Sequence, residues 1–324
     1  MSFGGPQQGI TSLQNFGPEL PVQAAEDLLS TPMFNLIHSF GVDLHHAEAY
    51  IAKTTRMSRF ERLSTEGGQL DGSGIDIASE VPIRSDIDAT MEIYAKSLTT
   101  NEQVVLWENS KTLTKFTALL GQWLREKEDL LMRDLFASSV SYINATGGSN
   151  GDQPSNISLN DCNNIERILL GNDARTMLVS IAAGRDFATG PTRDAFIMLA
   201  NTDITPDLQK VQNVLLKANY PSQEGLRPEE YCSISRFRVF VSSKAAKIPG
   251  ISTMGKTVYT LPMYGLEAAA KIEQNNYTSV IGYRPPWVVS NVAQNSQLYA
   301  KFAIARAITN QNWISGLNVT SLQS

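Results

Sequence analysis

Residues 83–144 predict two consecutive elements that are too long to bury their apolar sides within one compact domain. Over residues 83–95, apolar and polar side chains alternate with the period of a half-buried strand. Such a strand would span about 43 Å at ~3.3 Å per residue, whereas globular strands usually have about 5 to 6 residues. Its apolar face consists of Ile83, Ile87, Ala89, Met91 and Ile93. We therefore expect the strand to project beyond its own core and to be covered by another molecule.

A long amphipathic helix is predicted directly after this strand. Thr99 or Thr100 can cap its first turn, and Glu102 or Gln103 would complete a capping box. No proline follows before Pro154. Apolar residues recur at helical spacings, namely Leu113, Phe116, Leu120, Trp123, Leu124, Leu131 and Leu135.

The length of this helix is open at one position. Unbroken to residue 144, it would span roughly 65 Å at ~1.5 Å per residue. Gly121 costs about 1 kcal/mol relative to alanine, which leaves a bend, or two ordinary helices, as the alternative. Asp129 and Arg133 belong to the polar side, at a spacing that favours an ion pair.

A two-stranded arm is predicted before the helix. Residues 54–63 can pair with the long strand across residues 64–82, a segment with four acidic residues and several glycines. A lone two-stranded ribbon is marginally stable in water, so the arm should be mobile until it lies on another surface. The glycine- and proline-rich residues 1–20 predict a flexible N-terminal arm, and residues 22–29 a short helix.

Short elements of both kinds follow a glycine-rich boundary at residues 147–156. Helices are predicted over residues 159–170, 206–216 and 266–272, and strands over residues 195–200 and 237–242. This mixture predicts an α+β fold.

Composition excludes several classes of protein. A net charge of -5 and a pI near 5.4 argue against a protein that mainly coats nucleic acid. Cys162 and Cys232 are too few for a disulfide scaffold and lack zinc-site spacing. The sequence has neither a classical signal peptide nor a run of about 18 apolar residues, so we expect neither secretion nor membrane insertion.

One motif matches a nucleotide-binding pattern. Residues 250–257 satisfy GxxxxGK[ST], which binds phosphate when a strand leads into the loop and a helix begins at the lysine. Here Lys256 precedes a β-branched segment that ends at Pro262, a context that disfavours a helix. Nucleotide hydrolysis is therefore retained only as a minor alternative.

No other chemistry is indicated. His38, His45 and His46 lack the spacing of metal ligands, and we interpret them as solvated. Neither cysteine lies in a catalytic signature, and no GxSxG motif occurs. We predict no catalytic, cofactor-binding or metal-ligating residue, and no cofactor.

The order of segments resembles a known family. The relevant segments are residues 59–63, 94–99, 201–208, 237–241 and 299–308, followed by residues 312–314. In order and character they are similar to the HK97-like major capsid proteins of tailed bacteriophages, in particular those of short-tailed phages. The resemblance covers most of the chain from about residue 54 onward, whereas the first 50 residues match in character only.

The resemblance implies an HK97-like α+β capsid fold with five parts. These are an N-terminal arm (residues 1–53), an extended β-hairpin called the E-loop (54–98), a peripheral (P) domain with a spine helix (99–158), an axial (A) domain (159–290), and C-terminal strands that return to the peripheral domain (291–324). We predict no covalent Lys–Asn cross-link between subunits.

The resemblance also implies a structural, non-enzymatic function. The expected partner is the chain itself, as hexamers and pentamers of an icosahedral virion capsid that encloses double-stranded DNA and assembles in the host cytoplasm. Further expected partners are scaffold, portal and decoration or cement proteins, with no membrane. An encapsulin-type compartment, a P-loop nucleotide-binding protein and a soluble oligomeric binding module are the alternatives.

Overall fold

The computed structural model describes residues 10–11, 34–47, 53–65, 79–101, 111–147, 150–178, 194–220, 226–248, 256–274, 280–287 and 295–321. The predicted helix over residues 22–29 and most of the predicted N-terminal arm lie outside these residues, as does most of the loop over residues 64–82. The described part mixes helices and strands, in agreement with the α+β prediction.

The elements follow one another with short connections. The helices are α1 (Lys111–Ser139), α2 (Leu159–Gly171) and α3 (Thr205–Leu208). The strands are β1 (Ile10–Thr11), β2 (Asp43–Ala47), β3 (Thr54–Phe60), β4 (Arg84–Thr90), β5 (Glu92–Asn101), β6 (Tyr142–Asn144), β7 (Phe196–Asn201), β8 (Leu215–Leu216), β9 (Glu230–Ile234), β10 (Phe237–Ser242), β11 (Lys247–Ile248), β12 (Val258–Tyr264), β13 (Ala269–Gln274), β14 (Val280–Trp287), β15 (Asn295–Ile308) and β16 (Ile314–Thr320).

Three sheets organise these strands. Sheet A has six strands in the order β1-β5-β15-β13-β2, with β14 also paired to β15. Sheet B has eight strands in the order β6-β16-β12-β7-β10-β9-β8, with β11 also paired to β12. The pair β3-β4 forms a separate two-stranded ribbon, hereafter the arm.

Helix α1 connects the two large sheets. Leu120, Leu124 and Leu131 pack against one face of sheet A, where they meet Phe302 and Ile304 of β15. The C-terminal turns pack instead on sheet B, through Met132, Phe136 and Val140. The helix needs its length because its apolar stripe covers two different sheets in succession.

Sheet B is covered on both faces, since α1 packs on one side and α2 on the other. All six residues of β7 are therefore buried, and they form a continuous apolar run with only its last residue polar. Helix α2 begins with the capping box of Ser158 and Asp161, whose side chains each accept from the other residue's backbone N–H. Its buried face includes Ile165 and Leu169.

The helix prediction is correct in existence and wrong at both ends. Helix α1 runs unbroken past Gly121, where an added methyl group would meet no atom within 4 Å. Thr99 and Thr100 belong to β5 and do not cap the helix. The helix ends at Ser139, whose carbonyl oxygen accepts from Gln311 Nε2 at 2.8 Å. Its length is therefore about 44 Å at ~1.5 Å per residue.

The long strand is interrupted at Met91. Strand β4 pairs within the arm, whereas β5 pairs with β15 in sheet A. The backbone N–H of Met91 donates to the carbonyl oxygen of Lys53 at 2.8 Å, so this residue still belongs to the root of the arm. The alternating pattern thus continues through two strands that belong to different sheets.

The short elements confirm the predictions in part. The predicted helix at 159–170 and the strands at 195–200 and 237–242 are present as α2, β7 and β10. Residues 206–216 are helical only as far as Leu208, and a turn with Asn213 at φ 59° follows. Residues 269–272, predicted as helix, lie in β13, where buried alanines pair with β15 and allow close packing.

Candidate assembly surfaces

The arm has one apolar and one charged face. Strands β3 and β4 pair antiparallel from Thr54↔Thr90 to Phe60↔Arg84, which confirms the predicted pairing of residues 54–63 with the long strand. Directly opposed residues of an antiparallel pair point to the same face. Met57 and Ile87 therefore share the apolar face.

Ion pairs cover the charged face. Arg56 donates to both carboxylate oxygens of Asp88, at 2.7 and 2.9 Å. Arg84 donates to Asp86 at 2.7 Å and to the Ser58 hydroxyl at 2.6 Å. The hydrogen bond from Arg56 lowers the pKa of Asp88. This face satisfies its own charges within one copy of the chain.

The apolar face is buried at the root of the arm and uncovered at its outer end. At the root, Ala89 is buried, and Met57, Ile87 and Met91 pack with it against Ile272, Ala305 and Ala307 of sheet A. Beyond the root, the outer end of the arm comprises Leu63, Val81 and Ile83, which are 55%, 80% and 65% exposed. The described part of one copy therefore leaves these apolar side chains in water.

A buried ion pair anchors the chain just before β2. Asp129 of α1 accepts from the backbone N–H groups of His38 and Ser39, at 2.7 and 3.1 Å, and lies 2.6 Å from His38 Nδ1. Tyr264 donates to the carbonyl oxygen of Phe40 at 2.7 Å. These bonds hold residues 37–40 beneath α1, and Ile37 is also buried there.

This anchor corrects two sequence interpretations. His38 is 2% exposed, so its interpretation as a solvated histidine is wrong. Asp129 is 1% exposed and serves His38, while Arg133 pairs with Asp134 at 2.7 Å. The apolar run around Ile37 is the sequence signal that residues 34–40 enter the core. His45 and His46 are exposed, as expected, but they lie on strand β2.

The phosphate-loop motif has the wrong surroundings for nucleotide binding. Residues 250–255 lie outside the described residues, and Lys256 and Thr257 lead directly into strand β12. A strand places no helix N-terminus at the phosphates. The nearest acid considered, Asp203, accepts from the Tyr259 hydroxyl at 3.1 Å and lies 3.4 Å from Lys247 Nζ.

The two thiols are unsuited to nucleophilic chemistry. Cys162 and Cys232 are both buried, and burial raises the pKa of each to about 12. Within the described ranges, no group of three or more His, Cys, Asp or Glu residues could hold a metal ion. The described helices include none that is long and apolar enough to cross a membrane.

Comparisons with known proteins identify the fold. No family model matches the sequence, and no curated protein matches it. Among solved structures, the chain is similar to a capsid chain of cyanophage P-SCSP1u, with a TM-score of 0.63 and 7% identity over 99% of this chain and 100% of that one. It is also similar to a capsid chain of cyanophage Pam1, with a TM-score of 0.63 and 9% identity over 91% and 95%.

A third match leads to the same assignment. A capsid chain of Ralstonia phage GP4 gives a TM-score of 0.62 and 7% identity over 99% of this chain and 97% of that one. At such identities the likeness establishes the fold, and it extends over nearly the whole of each chain. The expectation of a capsid fold is confirmed: the chain has the phage capsid fold.

Proposed function

We propose that this chain is the major capsid protein of a tailed, short-tailed-group bacteriophage and assembles as hexamers and pentamers into an icosahedral head. The observation that carries the proposal is the match from end to end with phage capsid chains, 99% against 100% in one case. A capsid chain that matches over its whole length has no additional domain for a different task. The proposal assigns no catalysis to the chain.

The arm supplies a physical reason for assembly. Its outer end exposes three large apolar side chains, Leu63, Val81 and Ile83. Burial of each against a neighbour is worth about 1.5–3 kcal/mol before the costs of association. Repeated contacts of this kind around each subunit are sufficient for a shell.

The proposal includes the HK97-like division of the chain. Residues 1–53 are assigned to the N-terminal arm, 54–98 to the E-loop, 99–158 to the peripheral domain and 159–290 to the axial domain. Residues 291–324 are assigned to strands that return to the peripheral domain. The continuous helix α1, with a different sheet packed on each half, supports the role of a spine.

The proposed location is the virion capsid. Its partners there are other copies of the chain, packaged double-stranded DNA on the inner face, and scaffold, portal and decoration or cement proteins. An encapsulin-type shell is the alternative within this fold, and the capsid matches favour the phage head. Nucleotide hydrolysis is disfavoured by the strand that follows Lys256.

Electron microscopy of the expressed chain tests the proposal. We expect closed shells, or hexamers and pentamers, whereas a compact monomer at high concentration would refute it. Deletion of residues 64–82 should leave a folded subunit that fails to assemble. Normal shells from this deletion would remove the arm from the assembly contacts. Substitution of the exposed Ile248 by Asp, which alters an apolar side chain outside the arm, is the matched control.

A further inference from the structure

The arm also contacts its own subunit beyond its root. Two residues after β3 ends, Arg62 Nη1 lies 3.1 Å from an Asp173 carboxylate oxygen, and both side chains are largely exposed. Asp173 belongs to the turn that ends α2, where its N–H donates to the carbonyl oxygen of Leu170 at 3.1 Å. The contact therefore joins the outer end of the arm to the far side of the subunit.

The two contacts between arm and body differ in strength. At the root, Ala89 is 2% exposed and packs in an apolar cluster with Ile272 and Ala305, which resists separation. Farther out, the joining contact is an exposed ion pair, a type that is weak in water and screened by salt. The arm can therefore pivot on its root when the outer ion pair opens.

The ion pair leaves the apolar side chains uncovered. Val81 and Ile83 are 80% and 65% exposed while Arg62 is paired with Asp173. A neighbouring copy that covers these side chains gains more than the exposed ion pair provides. Assembly can then exchange a weak internal contact for a stronger external one.

We propose that Arg62 and Asp173 form an intramolecular latch that holds the arm on its own subunit before assembly. The latch opens when the arm transfers to a second copy. This inference rests on the proposed function for the second copy, but the latch itself is a property of the isolated subunit.

The first test uses the unassembled subunit at low concentration. Asp173→Asn removes the charge and keeps a residue type that tolerates the left-handed backbone, φ 55°, at this position. Arg62→Gln removes the other charge. We expect each variant to increase hydrogen exchange over residues 54–65 and 79–90. Unchanged exchange in both variants would overturn the latch.

The second test measures the rate of shell formation by light scattering. Each single variant should assemble about two- to fivefold faster than wild type, the range expected for an exposed ion pair. The exchange of charges in Arg62→Asp with Asp173→Arg should restore the wild-type rate. Equal rates for wild type and both single variants, or a double variant that behaves like the single ones, would contradict the proposal.

A matched control separates the latch from a general loss of charge. Lys247→Gln breaks another exposed ion pair, with Asp203, which lies outside the arm. It should change neither arm exchange nor assembly rate. An equal effect from Lys247→Gln would overturn the latch. Wild-type chains that form no shells would refute the proposed function, whereas the exchange test would still decide the latch.

Discussion

Removal of the Asp129 carboxylate should destabilise the subunit more than most surface changes. Asp129 is 1% exposed and accepts from two backbone N–H groups, those of His38 and Ser39, at 2.7 and 3.1 Å. Its other oxygen lies 2.6 Å from His38 Nδ1. In Asp129→Ala, all three nitrogen atoms lose this partner within the core.

The magnitude follows from these contacts. A buried donor left without a partner costs about 1–3 kcal/mol, and removal of one member of a buried pair costs about 3–5 kcal/mol. We expect Asp129→Ala to lower the free energy of unfolding by about 3–5 kcal/mol. Asp129→Asn keeps an oxygen that can accept from the backbone N–H groups, and should cost about 1–2 kcal/mol.

Urea unfolding of the unassembled subunit measures these differences, and hydrogen exchange over residues 34–47 locates them. Asp134→Ala is the control, because Asp134 lies on the same helix with an exposed side chain and should change stability by about 0.5 kcal/mol or less. The double variant His38→Leu with Asp129→Leu should lose less than Asp129→Ala, since it leaves no unpaired charge. A loss below about 1 kcal/mol in Asp129→Ala would refute the role of the anchor.

Three further predictions concern the arm, a buried acid and the thiols. Val81→Asp should leave the subunit folded and block shell formation in electron micrographs, whereas Ile248→Asp should assemble normally; shells from the first variant would contradict the role of the arm. Burial raises the pKa of Glu230 above its ordinary 4.5, so the folded state holds this proton more tightly. The wild type should therefore lose stability as pH rises from about 4.5 through the raised value, and Glu230→Gln should lack this component in urea unfolding at several pH values; identical pH profiles would oppose it. Cys162 and Cys232 should react with a thiol reagent near pH 8 only after unfolding, and rapid reaction in the folded subunit would show that they are accessible.

The long elements could be predicted because periodicity reports burial directly. Leu120, Leu124 and Leu131 recur at helical spacing, and all three lie in the core. The alternation around Ile87 correctly indicated a half-buried strand. Their ends were less accurate, since Thr99 is equally suited to a helix cap and to the strand that it joins in sheet A.

Elements determined by distant contacts could not be predicted locally. The alanine-rich segment around Ala269 has high helical propensity, yet it pairs with β15 and β2 as a strand. His38 has no local feature that distinguishes it from a solvated histidine. Its partner, Asp129, is 91 residues away in the chain.

The sequence by itself determined the long helix, the two-stranded arm with its acidic loop segment, and the lack of a recognisable catalytic site, because each depends on local spacing or residue type. Only the tertiary structure decided that the alternating strand divides at Met91 between the arm and sheet A. The same is true of the apolar outer end of the arm and the contact between Arg62 and Asp173. These features depend on which distant segments meet, and the energy of a distant contact leaves no periodic trace in the residues that make it.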